Sequence, residues 1–152
     1  MERKQVEPRR HQDHQGACSK EVERVATVIV DCAITVHREL GPGLLESACQ
    51  RCLEYELRAA GLSVKCEVPM PIKYRDVLID VGYRIDMLVE DCVIVENKAV
   101  ARQAPIHTAQ LLTHLKLSGH RLGFLLNWNV PVMKHGIKRL VLGPRLRPNH
   151  EM

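Results

Sequence analysis

The spacing of apolar residues predicts two helices in the first half of the chain. From Val22 to Ile34, apolar side chains recur three and four positions apart, which places them on one face of a helix. Ser19 is a suitable N-cap for this helix, and Gly41-Pro42-Gly43 breaks the chain after it. The same spacing predicts a second helix from Leu45 to Ala60, with Gly61 as its stop.

Beyond Gly61 the apolar pattern alternates, which is typical of strands. A helix is predicted from Pro105, which suits a first helical turn, to Gly119. Strands are predicted near 64–68, 77–89, 93–98, 122–126 and 137–142. The order of helix, helix, three strands, helix and two strands predicts an α/β fold, in which a mixed β-sheet is flanked by helices.

The loop between the strands near 77–89 and 93–98 decides where their charged residues lie. A two-residue loop, Glu90-Asp91, would set Asp86 opposite Val95, whereas a three-residue loop that includes Cys92 sets Asp86 opposite Glu96. Only the second loop keeps the apolar side chains together on one face. These are Ile85, Met87, Val89, Val93 and Val95.

Two directly opposed carboxylates repel each other unless a positive charge lies between them. A divalent cation supplies that charge, and Mg²⁺ is commonly held by one or two carboxylates together with waters and phosphate oxygens. Lys98 shares the face of Glu96 and could orient a water or stabilise a phosphate in its transition state. The spacing leaves a second interpretation open, in which Asp86, Glu96 and Lys98 form a structural ion cluster without metal.

Composition and charge set wider limits on the protein. The chain has 152 residues, a length that suits one domain, and its net charge of +4 mildly favours a polyanionic partner such as DNA or RNA. The predicted domain spans 19–142, between a disordered tail at 1–18 and a flexible tail at 143–152. No apolar run is long enough for a membrane span. The N-terminus lacks the apolar stretch of a signal peptide, so we expect a cytoplasmic protein with reduced cysteines.

Other metal-ligating or base-binding patterns are weak. Cys49 and Cys52 form a lone CxxC within a helical pattern, which we interpret as part of an apolar helix face. The histidines have no metal-binding spacing and are expected to be surface or half-buried residues. Aromatic residues make up only 3% of the chain, so binding of single strands by base stacking is poorly supported.

Several stretches of the sequence are similar to a known family. They are LGPGLLESACQRCLEYEL, YRIDMLVEDCVIVENKAV, IHTAQLLTHLKLSGHRLGFLLNW and GIKRLV, in that order. Over roughly 22–141 the chain resembles the GxxExxY protein family, which is assigned to the PD-(D/E)xK nuclease superfamily. The resemblance implies a restriction-endonuclease-like core of helix, three strands, helix and strand, preceded by an extra helix.

The resemblance also implies roles for particular residues. Asp86 matches the metal-binding aspartate, Glu96 and Lys98 match the ExK pair, and the carbonyl of Asn97 would be a further metal ligand. The implied cofactor is Mg²⁺ or Mn²⁺, and the implied substrate is DNA or RNA. Lys98 would be a catalytic residue.

Two helix residues join this set by resemblance. Glu46 matches a glutamate on the helix before the strands, although a carboxylate in a first helical turn is also favoured by the helix dipole. Gln110 matches a glutamine on the helix after the ExK strand, and simple exposure on a helix is the rival interpretation. Both would belong to the catalytic group.

The sequence departs from the family pattern at two positions. Cys49 replaces the tyrosine of GxxExxY, and Asn97 occupies a position that is usually apolar. The functions left open are a metal-dependent nuclease, a catalytically inactive nuclease-fold module that binds nucleic acid or a protein, and a homo-oligomeric structural protein. The choice between monomer and homodimer also stays open.

Overall fold

Helix α1, Lys20–Leu40, begins and ends where its sequence predicts. The fold is taken from a computed structural model, which describes residues 19–143. Ser19 caps the helix by accepting a hydrogen bond from the backbone N–H of Val22 at 3.2 Å. The helix ends at Gly41, whose φ of 68° a residue with a side chain rarely adopts. The tail predicted at 1–18 lies outside the described residues, and so does the tail predicted at 143–152 except for Gly143.

Helix α2, Glu46–Ala59, buries one face against α1. Its buried residues are Cys49, Leu53 and Leu57, which confirms that Cys49 packs as a small apolar residue. Gly61, which was predicted to end the helix, follows the C-cap residue Ala60 with a φ of 87°.

Five strands form a mixed sheet in the order β1-β4-β5-β6-β7. The β5–β6 pair is parallel, because a helix connects the two strands, and the other three pairs are antiparallel. The strands are β1 (Val64–Pro69), β4 (Arg84–Val89), β5 (Val93–Lys98), β6 (Leu122–Asn127) and β7 (Ile137–Val141).

The prediction of one strand near 77–89 was wrong. The segment contains β3, Val77–Ile79, and β4, and β3 pairs with β2, Ile72–Tyr74, in a separate two-stranded sheet. The break between β3 and β4 contains Gly82, whose φ is 76° and whose backbone N–H donates to Asp80 Oδ1 at 3.1 Å. This turn chemistry interrupts the apolar run that the strand prediction followed.

Helix α3, Pro105–Ser118, lies on the opposite side of the sheet from α1 and α2. Pro105 starts it and Gly119 ends it in the left-handed conformation, as predicted. A short 3₁₀ helix, Met133–His135, precedes β7. The sheet therefore separates two apolar cores. The larger, which lies against α1 and α2, contains Val25, Ile29, Leu53, Met87, Val95 and Phe124. The smaller, which we call the α3 core, contains Ile85, Leu88, Ile94, Leu111, Leu115 and Leu125.

One residue of the predicted apolar face lies on the other side. Ile85 packs in the α3 core, whereas Met87, two positions on, packs against α1 and α2. The neighbouring strand is distorted beside them, since Glu67 between Cys66 and Val68 has a φ of 53°. Strict alternation fails at such a distortion.

The α/β fold class with a mixed sheet flanked by helices is confirmed, and it is consistent with a restriction-endonuclease-like core. Within residues 19–143, no helix has the length and apolar character that a membrane span requires.

Candidate functional site

The register of the β4–β5 hairpin brings Asp86 to Glu96 and Asn97. The ladder pairs Val89 with Val93 and Met87 with Val95, which confirms the three-residue loop. Beyond the last of these pairs, Asp86 Oδ2 accepts a hydrogen bond from the backbone N–H of Asn97 at 2.9 Å. The two carboxylates therefore meet at the open end of the hairpin.

Burial makes this carboxylate pair electrostatically unfavourable. Glu96 is only 6% exposed and Asp86 is half-buried. Burial, followed by the negative charge of Glu96, raises the pKa of Asp86 to about 7, although the hydrogen bond from Asn97 opposes the shift. Asp86 therefore holds a proton more readily than an ordinary aspartate does, and an added positive charge would oppose this effect.

Lys98 contributes a positive charge to the same cleft. The lining of this cleft includes Asp86, Glu96, Lys98, Arg84, Tyr83, Gln110 and His114. The backbone carbonyl of Lys98 accepts a hydrogen bond from the backbone N–H of Trp128 at 2.9 Å, which fixes the end of β5.

Glu46, at the first position of α2, lines a neighbouring cleft that shares Asp86 with the first. Its side chain stays largely exposed, yet partial burial raises its pKa. The positive charge of Lys98 opposes that shift and the negative charge of Glu96 adds to it. Glu46 therefore lies close enough to Lys98 and Glu96 for their charges to act on its carboxyl group.

Gln110 also lines the cleft that contains Lys98. It is an exposed residue of α3 and lines the cleft together with Asp86, Glu96 and Lys98. All six residues predicted from the sequence therefore lie around the open end of the hairpin, on the four elements α2, β4, β5 and α3.

His114 contacts the site although the sequence analysis did not single it out. Its Nδ1 lies 2.6 Å from Glu96 Oε1, a distance at which an imidazole N–H donates to a carboxylate. Its ring meets Tyr83 edge-on, with ring centroids 6.5 Å apart. His114 follows Gln110 by one helical turn, and this i, i+4 spacing is the signal that could have identified it.

Asn97 is fully buried, and both polar atoms of its side chain have hydrogen-bond partners. Its Oδ1 accepts a hydrogen bond from Trp128 Nε1 at 2.9 Å, and its Nδ2 donates to Gln50 Oε1 at 3.2 Å. Gln50 in turn donates to Glu67 Oε1 at 3.0 Å. The expected cost of a buried amide is therefore offset by partners from α2 and the end of β6. Gln50 follows Glu46 by one helical turn and was likewise missed.

The donor set at the hairpin end suits a hard divalent cation. Two carboxylates that lie together, with further oxygen donors nearby, are the ligands that Mg²⁺ and Mn²⁺ prefer, and Mg²⁺ usually retains several waters. Over residues 19–143, no group of three or more His, Cys, Asp or Glu side chains is arranged to hold a metal ion. Any ion here would take fewer protein ligands and complete its shell with water or phosphate oxygens.

Comparisons with known proteins agree with this architecture. A family model described as the PD-(D/E)XK nuclease superfamily matches residues 23–140, from the first turn of α1 into β7. No match was found among curated proteins or among solved structures.

Proposed function

The chain belongs to the PD-(D/E)XK nuclease superfamily, and on that premise we propose that it is a metal-dependent nuclease that hydrolyses phosphodiester bonds of DNA or RNA. Its motif stretches support assignment to the GxxExxY family within the superfamily. One observation carries the proposal: Asp86 and Glu96 meet beside Lys98 in one cleft, which we call the catalytic cleft, with the pKa of Asp86 raised to about 7.

Asp86 and Glu96 would hold Mg²⁺ or Mn²⁺, with the carbonyl of Asn97 as a further ligand. A divalent cation held by these residues would lower the pKa of a bound water and offset the charge of a phosphate. Glu96 is held by His114, so its carboxylate is oriented before any ion arrives.

Lys98 is the proposed catalytic cation. Hydrolysis joins the oxygen of water to phosphorus and releases an alcohol, and negative charge builds on the phosphate oxygens on the way. The ammonium group of Lys98 would stabilise that charge or orient the water. Glu46 would bind the water, and Gln110 would bind the water or the phosphate, from two sides of the hairpin end.

The test is cleavage by the full chain of plasmid and of single- and double-stranded DNA and RNA oligonucleotides with Mg²⁺ or Mn²⁺. We expect cleavage that EDTA abolishes and that Asp86→Asn or Lys98→Met each reduces strongly. Asp31→Asn and Lys134→Met are matched controls, because both residues are exposed and lie on other elements, and these variants should cleave normally.

Cleavage that persists in EDTA, or in the Asp86→Asn/Lys98→Met double variant, would refute the proposal. Calorimetry with Mn²⁺ separates the nuclease from an inactive module. A protein that binds no Mn²⁺ and cleaves nothing, yet binds nucleic acid in a salt-dependent complex, would be a binding module.

A further inference from the structure

We propose that an apolar groove beside the catalytic cleft binds one unstacked nucleobase next to the scissile phosphate, so that the substrate is single-stranded nucleic acid or a locally opened duplex. This inference rests on the proposed nuclease function for the position of the phosphate. The groove lies between α3 and the segment that leads into and out of the β2–β3 hairpin. We call it the α3 groove, and its apolar lining is Met70, Ile72, Tyr83, Ile106, Ala109 and Leu117.

The α3 groove is continuous with the catalytic cleft. Tyr83, Gln110 and His114 line both, so one ligand can occupy the cleft and the groove at the same time. The groove has a volume of about 300 Å³, in the range of small-molecule sites. A bound molecule could therefore place one part beside Lys98 and another part in the groove.

The outer face of α3 exposes apolar side chains to solvent. Ile106 is 58% exposed and Leu117 is 41% exposed, whereas Leu111 and Leu115 already fill the core side of the same helix. Exposed apolar side chains grouped beside a cleft are typical of a binding surface. Here they form one wall of the groove.

Tyr83 stands where cleft and groove meet. Its side chain is half exposed, and its edge-on contact with His114 holds the ring in one orientation, because His114 is itself bound to Glu96. An aromatic ring that is fixed and still accessible is what a base needs for stacking. The low aromatic content of the chain argues against a long stacking platform, but a single base needs only one ring.

The two compartments match the two parts of a nucleotide. The catalytic cleft contains the cations Lys98 and Arg84, which suit the anionic phosphate. The groove offers apolar walls to the faces of a base, and Thr113, Gln110 and His114 can hydrogen-bond its polar edge. This pairing of charge with a flat apolar space favours a nucleotide over a purely apolar peptide segment.

A base in an intact duplex cannot occupy this groove. Its faces are stacked and its edge is paired, so it must be single-stranded or turned out of the helix before it can contact Tyr83. The geometry therefore predicts that the α3 groove makes the protein prefer single-stranded to double-stranded nucleic acid, without recognition of the base sequence.

The experiment measures binding of the full chain to short labelled oligonucleotides by fluorescence anisotropy, with Ca²⁺ in place of Mg²⁺ to limit cleavage. Tyr83→Ala should weaken binding of single strands by about 5- to 100-fold, the range for loss of one stacked base. Tyr83→Phe should retain the affinity because it keeps the ring. Tyr55→Ala is the matched control, since Tyr55 is 72% exposed on α2 and lies outside the groove.

Oligonucleotides that lack all their bases provide a second measurement, because a groove that does not recognise sequence can bind a strand in any register. Loss of the bases should weaken binding to the unaltered protein at least as much as Tyr83→Ala weakens binding of the normal strand, and Tyr83→Ala should have no further effect on binding of the abasic strand. Intact duplexes should bind the unaltered protein and the variant equally.

Several results would overturn the base site. They are unchanged single-strand affinity in Tyr83→Ala, an equal loss for single strands and duplexes, or no nucleic-acid binding at all. A dimer in sedimentation that Leu117→Asp dissociates, with single-strand affinity unaltered, would assign the groove to a second copy of the chain. Metal-dependent cleavage that is indifferent to Tyr83 would refute the base site alone, whereas Tyr83-dependent binding without any cleavage would refute the nuclease proposal alone.

Discussion

The two ends of the β4–β5 hairpin bury different kinds of side chain. Those at the loop end are apolar, and those at the open end are polar or charged. At the loop end, Val89 pairs with Val93 and Leu88 with Ile94, and all four side chains are apolar and buried. At the open end, Glu96 and Asn97 are just as inaccessible, at 6% and 0% exposure. Glu96 and Asn97 are therefore as buried as the loop end although they are polar, and Asp86 beside them is only half-buried.

This difference separates stability from function along one pair of strands. Burial of a large apolar side chain contributes about 1.5–3 kcal/mol, so the loop end stabilises the fold. A buried polar group costs free energy unless it has partners, and the open end meets that requirement only in part. Asn97 has partners on both of its side-chain polar atoms, whereas Asp86 faces the like charge of Glu96 and its pKa is raised. A local electrostatic conflict of this kind is expected at a functional site.

The largest expected effect on stability comes from the loop end. Ile94→Ala removes a fully buried side chain from the α3 core and should lower the free energy of unfolding by about 2–5 kcal/mol. Ile106→Ala makes the same change at an exposed site and should stay within about 0.5 kcal/mol of the unaltered protein. Urea denaturation of both variants checks this. Equal losses of unfolding free energy in the two variants would mean that burial of Ile94 in the α3 core does not stabilise the fold.

The next effect is on turnover at the open end. If the proposed function holds, Lys98→Met should reduce kcat by roughly 100- to 1,000-fold, because one preorganised charge near the reacting phosphate is lost. Steady-state cleavage assays measure this, and urea denaturation should show little change in stability. A kcat within a few-fold of the unaltered protein would remove Lys98 from the mechanism.

A smaller loss of stability is expected from the Asn97 network. Trp128→Phe leaves Asn97 Oδ1 without its donor and should cost about 1–3 kcal/mol of unfolding free energy. The same substitution should cost less in an Asn97→Leu background, because the group left unpaired is then absent. A double-mutant cycle measures the difference, and a cost that does not depend on residue 97 would contradict the network.

His114 provides a test of metal affinity. If Glu96 is a ligand, His114→Ala should weaken Mn²⁺ binding by about 10- to 100-fold, because the hydrogen bond that orients the carboxylate is lost. Isothermal titration calorimetry measures the affinity. His135→Ala, at an exposed histidine of the 3₁₀ helix, is the control and should bind Mn²⁺ normally.

The smallest effect is a pH dependence, since Asp86 is only half-buried and solvent screens its charge. Its pKa rises from an ordinary 3.8 to about 7 in the folded protein. The folded state thus binds the proton more tightly, and its contribution to stability is present below about pH 4 and lost as the pH rises through about 7. We expect Asp86→Asn to flatten this dependence in urea titrations without metal. Mn²⁺ should reverse its sign, because an ion binds the deprotonated carboxylate.

Much of the open end could be predicted from residues alone. The alternation in β4 and β5, together with the requirement that apolar side chains share a face, was enough to choose the three-residue loop and to place Asp86 against Glu96. The roles of Glu46 and Gln110 came from resemblance and stay predictions, although both residues lie at the clefts around the hairpin end. The contacts of His114, Gln50 and Trp128 could not be predicted, because each joins elements far apart in the chain.

The sequence by itself determined the three helices, four of the five strands of the main sheet and the hairpin register, because apolar periodicity and turn residues act over a few positions. Only the tertiary structure decided that Ile85 lies in the α3 core, that 72–79 forms its own two-stranded sheet, and that His114 supports Glu96. These features depend on which elements pack together, and that choice is made by the burial of whole faces. At the open end of the hairpin, the local sequence pattern thus places the two carboxylates, and the tertiary fold supplies the residues that contact them.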